Sequence, residues 1–176
     1  MRMALGVVFL LVAGNVFADR PTGLLFGKPF TPNHFTIKVM PQATASIGGK
    51  ITDRAQGYIL NMQVGDDFIP ETSIEIWWNA EVGKPLAGSA INWKPTAFGT
   101  EAHSKQAFPI KGKPATVGRG ITSVFLASGR KHDSFSDRIE CQLSFGEKKG
   151  TRIPVCVNLV LPNATRLSGQ FWATFE

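Results

Sequence analysis

Leu167-Ser168-Gly169-Gln170-Phe171-Trp172-Ala173-Thr174-Phe175-Glu176 closes the chain, and its reading decides the rest. The period is two, so Leu167, Gly169, Phe171, Ala173 and Phe175 share one face of a strand. Chain termini ordinarily fray. A terminus that carries two inward phenylalanines and stops one residue after the second predicts a strand that must be covered as soon as it forms. Upstream, apolar residues keep to short alternating runs between recurrent Gly and Pro, at 35–39, 58–64, 73–78, 90–93, 107–110 and 116–126. Helical periodicity is hard to find; 52–60 has room for one turn, which Gly57 limits. The expected class is all-β, an immunoglobulin-like antiparallel β-sandwich of roughly seven strands. Gly-Lys-Pro recurs at 27–29, 83–85 and 112–114, but its unequal spacing marks turns rather than a repeat architecture.

Residues 138–145 and 152–161 read as two strands joined by a hairpin loop at 146–150. The chain has two cysteines, Cys141 and Cys156, one in each strand. Pairing them directly sets Ile139 opposite Asn158 and makes the apolar faces disagree. Matching Phe145 with Ile153, Leu143 with Val155 and Ile139 with Leu159 satisfies the core but turns Cys156 away, because a one-residue slip inverts a strand. A bulge at Pro154 would reconcile the two, and on that footing a Cys141–Cys156 disulfide is expected.

The first 18 residues have the order of a secretory leader: Arg2, an apolar run from Ala4 to Ala13 too short to span a bilayer, then Val16 and Ala18 before a cut at Asp19. The expected division is therefore 1–18 as signal peptide, 19–34 as an N-terminal arm without a strand pattern, and 35–176 as one sandwich domain. No membrane span is expected in the mature chain. The formal charge of +6 is spread along the sequence; the tight cluster Lys148-Lys149 with Arg152 lies in a turn. So diffuse a pattern in an exported chain argues against nucleic acid as a partner.

Catalytic and metal-binding patterns are not found. His34, His103 and His132 are too scattered for a metal site, and no cofactor or metal is expected. His132-Asp133-Ser134 contains the residue types of a hydrolase triad, but neighbours on one strand or turn cannot point at each other, so it reads as a polar loop. Asp53, Asp66 and Asp67 could meet a calcium ion, although Gly65-Asp66-Asp67 is also an ordinary turn. Four tryptophans invite a sugar-binding reading. Parity with Ile74 and Ile76 sends Trp78 inward and Trp77 outward, where its ring, joined by Trp93 or Trp172, could carry a saccharide face. The alternative is that Trp77 packs under a loop or the N-terminal arm.

The segment Ala43-Thr44-Ala45-Ser46-Ile47-Gly48-Gly49-Lys50-Ile51-Thr52, preceded by the alternating 35–40, resembles the N-terminal region of chaperone–usher pilus subunits, and the closing strand resembles that family's last strand. The resemblance implies an incomplete sandwich finished by a donor strand, first from a periplasmic chaperone and then from the next subunit at an outer-membrane usher. It makes Phe35, Ile37 and Val39 donor side chains and makes Phe171, Ala173 and Phe175 the groove strand. The late cysteines and the longer arm fit a minor or tip subunit better than a repeating one. On this reading the protein is an exported, non-catalytic fimbrial subunit that passes through the periplasm to the cell surface, with neighbouring subunits and a host glycan or other receptor as further partners. A free-standing secreted carbohydrate-binding module is the alternative, and a hydrolytic enzyme stands third.

Overall fold

The computed structural model describes residues 20–97, 99–107 and 117–176; the leader assigned to 1–18 lies outside them. The described chain is mostly strand. In order it forms β1 (Thr22–Leu25), β2 (Lys28–Phe30), β3 (His34–Ile47), β4 (Lys50–Gln63), β5 (Thr72–Glu81), β6 (Ala90–Trp93), helix α1 (Glu101–Ala107), β7 (Gly120–Ser128), β8 (Lys131–Phe135), β9 (Glu140–Phe145), β10 (Arg152–Val160) and β11 (Arg166–Phe175). No helix among the described residues is long and apolar enough to cross a membrane.

The strands join in one sheet ordered β6-β9-β10-β11-β3-β4-β5-β7-β8, with β1 also on β11 and β2 on β1. The sheet is not closed into a barrel. Eleven strands replace the expected seven, and the pairing is mixed rather than purely antiparallel: β11 and β3 run parallel at Thr174↔Thr36 and Phe175↔Ile37. Elsewhere strands adjacent in the chain mostly pair with each other, because short turns favour antiparallel hairpins. Chain neighbours β2 and β3, and β8 and β9, do not pair, and β6, which follows β5 in the chain, pairs with β9.

Several segments differ from their sequence reading: His132-Asp133-Ser134, read as a polar loop, lie in β8, and the short helix α1 stands where no helical turn was expected. The arm contains the β1–β2 hairpin, whose turn residues Phe26 and Gly27 both have positive φ, 53° and 78°. Such a two-residue turn matches the twist of the flanking strands. The hairpin escapes a pattern search because its strands are only four and three residues long. Leu25 and Phe30 are nevertheless buried in the core. Residues 52–60 make no helical turn; they lie in β4, which returns from β3 through the two-residue turn Gly48-Gly49.

The sheet curls so that its two halves share one core. Trp78 of β5 stacks on Tyr58 at 5.3 Å and on Phe145 of β9 at 5.6 Å. Leu60, Met62, Ile74, Ile76 and Val124 meet this core from one half, and Leu143, Val155, Val157, Leu159 and Leu167 from the other. The β9–β10 hairpin takes neither expected register: Phe145 pairs with Val155, Leu143 with Val157 and Cys141 with Leu159. This is the core-matching alignment displaced by two residues, which keeps the same faces inward. Pro154 needs no bulge. Its carbonyl accepts from Gly146 N–H at 2.9 Å, so its nitrogen points to the same side, just past the last residue of β9.

At the start of β7, Gly120 has φ +85°, and a Cβ there would lie 2.4 Å from Cζ3 of Trp93. Gly120→Ala combines left-handed backbone strain with overpacking, and it is expected to cost roughly 2–4 kcal/mol. Urea unfolding of the variant beside the parent checks this.

Candidate functional site

Strand parity builds an open concavity on the face of β5 away from the core. On β5 the inward set Ile74, Ile76 and Trp78 leaves Ser73, Glu75 and Trp77 on the opposite face. Phe125 of β7 pairs with Glu75, and Ser134 of β8 pairs with Phe125, so the three strands lay one polar and aromatic surface. The rings of Trp77 and Phe125 lie 5.2 Å apart at 60°, forming a corner rather than a flat floor. Trp77 Nε1 donates to Glu75 Oε2 at 3.0 Å, which fixes the indole and brings a carboxylate to its edge. His132, Asp133 and Ser134 form the far wall of this open hollow of about 720 Å³. Asp133 is oriented by its neighbours: Oδ1 accepts from Ser134 N–H at 2.9 Å, and Oδ2 accepts from Asn163 Nδ2 at 3.1 Å. The hollow thus offers an exposed apolar corner beside carboxylate, imidazole and hydroxyl groups.

Trp77 is the sequence-expected platform residue that reaches this hollow. Trp93 does not join it, a correction to the two-ring reading: it is buried, edge-on to His103 at 5.8 Å, and its ring packs where Gly120 leaves room. Trp172 lies elsewhere on β11, beneath Lys149 and Arg152 at 5.6 and 5.7 Å. Glu75 and Phe125 were missed by the sequence reading. The signal for Glu75 was its two-residue spacing from Trp77; Phe125 became legible only once β7 was paired to β5.

The expected donor and groove residues meet within this one chain. Phe35, Ile37 and Val39 lie on β3, paired with Met62, Leu60 and Tyr58 of β4. Phe35 stacks on Phe171 with centroids 4.2 Å apart, and Ile37 is fully buried, whereas Val39 is half exposed. Phe171 and Ala173 are buried, and Phe175 lies under the Lys148 ammonium at 4.6 Å. Strand β11 is flanked by β10 along its length, by β1 at its start and by β3 at its end.

The expected disulfide is not formed. Cys141 and Cys156 are both free thiols on opposite faces of the β9–β10 hairpin, because the observed register sets them against Leu159 and Ser144. Cys141 is buried, and that burial pushes its thiol up to about 12. The aspartates that could have met a calcium ion are also apart, Asp53 near the start of β4 and Asp66-Asp67 beyond its end. Asp53 instead pairs with Arg119 at 2.9 Å and accepts from Val117 N–H at 2.8 Å. Burial raises its pKa, but the guanidinium and the backbone donors outweigh that effect and hold the carboxyl below its ordinary value.

Comparison of the chain with protein-family models, with curated proteins and with solved structures finds no match.

Two measurements test this chemistry. A thiol reagent is expected to label Cys156 in the folded protein and Cys141 only after unfolding, with no mass change on reduction alone. Asp53→Asn is expected to lower stability at neutral pH. Since the folded pKa lies below the unfolded 3.8, the contribution is present above that value and is lost as pH falls through the folded pKa. The difference between parent and variant in pH-dependent melting should therefore close below about pH 4.

Proposed function

We propose that this protein is an exported, non-catalytic binding module that holds a saccharide against the Trp77–Phe125 corner. The observation that carries the reading is this aromatic corner facing an open hollow, with Glu75 fixed against the indole and Asp133, His132 and Ser134 opposite. A sugar ring has an apolar face that packs on an indole and a rim of hydroxyls that both donate and accept, and the walls of the hollow match that division. A β-sandwich is the architecture this reading uses, and the Trp78–Phe145 stack between the two halves supports it. The immunoglobulin-like order is the less favoured form, since β3-β4-β5, β7-β8 and β9-β10-β11 run as meanders.

A second reading, the fimbrial subunit assembled by strand exchange with a periplasmic chaperone, an usher and neighbouring subunits, is favoured by one observation. The N-terminal hairpin adds to the C-terminal strand of its own chain through only three residue pairs, Thr22↔Ser168, Gly23↔Leu167 and Leu24↔Arg166. A short edge addition of this kind can be supplied by another copy.

The two readings separate in one set of experiments. For the binding module, the protein purifies as a monomer and binds members of a glycan array, and Trp77→Ala or Phe125→Ala weakens binding by about tenfold or more, roughly 1.4 kcal/mol. Absence of glycan binding, together with oligomers that a peptide of residues 20–39 converts to monomers, would overturn it in favour of strand exchange.

A further inference from the structure

The β4–β5 loop, residues 64–71, ends in two adjacent large apolar side chains that the fold leaves in water: Phe68 is 94% exposed and Ile69 82%. The loop beneath them is tied down. Gln63, itself buried, donates from Nε2 to the carbonyls of Gly65 at 3.1 Å and Asp67 at 3.0 Å, while Gly65 N–H donates to Asn33 Oδ1 at 2.8 Å. Val64 N–H closes the base on the Thr72 carbonyl at 3.1 Å. Beside it, Gly129 N–H donates to the Glu71 carbonyl at 2.7 Å, which docks the β7–β8 turn, with exposed Arg130 and Lys131, against the base of the loop. Lys131 also sits over the Phe26 ring at 4.3 Å, so the β1–β2 turn with exposed Lys28 belongs to the same end.

We infer that this end is a docking surface for a phospholipid bilayer, with Phe68 and Ile69 entering the boundary between headgroups and acyl chains. Two arguments favour lipid over a protein partner. The apolar element is a pair of neighbouring prongs on a projecting loop, whereas a stable protein interface needs on the order of 800 Å² from each side. Fluid acyl chains accept such prongs without a matching cavity, and adjacent cations add attraction to headgroup phosphates. The charges are also of the right kind. Lys28, Arg130 and Lys131 balance Asp66, Asp67 and Glu71 in sign, which suits a zwitterionic headgroup that carries both a phosphate and an ammonium. The inference is independent of the saccharide reading, since none of these side chains lines the Trp77 hollow.

The test is co-sedimentation of the full chain with vesicles of phosphatidylcholine, and of phosphatidylcholine mixed with phosphatidylglycerol. Binding is expected to both, with no preference for the anionic mixture because the charges of this end balance, and Phe68→Asp with Ile69→Asp should reduce the bound fraction by about tenfold or more. Arg130→Glu with Lys131→Glu should weaken binding to the anionic mixture more than to phosphatidylcholine alone. Glycan binding and circular dichroism of the loop variant should match the parent, separating this outcome from misfolding. No vesicle binding by the parent, or binding that survives the loop substitutions, would overturn the inference. So would a dimer that Phe68→Asp dissolves in a protein without vesicle binding.

Discussion

Two residue pairs join the halves of this sheet. Thr174 beside Thr36 and Phe175 beside Ile37 make the parallel contact between the last strand and the first long one; without it β11 would end one sheet and β3 begin another. The contact is short, so its neighbours must carry it. Glu176 N–H donates to the Ile37 carbonyl at 3.0 Å, and Lys38 reaches the Glu176 carboxylate at 3.2 Å. An exposed ion pair of that kind contributes at most about 1 kcal/mol. Burial is the larger effect: Ile37, Phe171 and Ala173 are taken out of water beneath the join, and each large apolar side chain so buried stabilises by roughly 1.5–3 kcal/mol.

The same core sets the outer surface. Because Trp78 must lie between Tyr58 and Phe145, the alternation of β5 turns Trp77 and Glu75 outward, and a register shift between Trp77 and Trp78 lets β7 follow. One strand thereby supplies both a central core ring and a wall of the concavity. The outer strand β8, at the end of the sheet, carries Lys131, His132 and Asp133, charged and polar groups that discourage an exposed edge from pairing with another sheet.

Much of this was legible residue by residue. Two-residue alternation identified the closing strand, the inward Trp78 and the β9–β10 hairpin, since side-chain direction in a strand follows from parity whatever its neighbour. It misled on the cysteines: a bulge at Pro154 would have brought them together, but the hairpin pairs without one and keeps them on opposite faces. The arm was illegible for a different reason. Strands of three and four residues carry too few alternations to stand out, and β1 and β2 exist because β11 offers an edge and the core accepts Leu25 and Phe30.

The sequence by itself determined the β-class, the inward and outward sets of β5 and the closing strand, and the turn at Gly27, because these depend on local backbone geometry; the turn at Gly48-Gly49, within a segment read as strand, emerged with the β3–β4 pairing. Tertiary structure decided which strands became neighbours: the parallel join of β3 to β11, the crossing of β6 to β9, the two-residue displacement that leaves Cys141 and Cys156 apart, and the meeting of Phe125 with Trp77. The physical reason is that alternation specifies a face but not a partner. Partners are chosen by how the faces fill a shared core, a property of all the strands together.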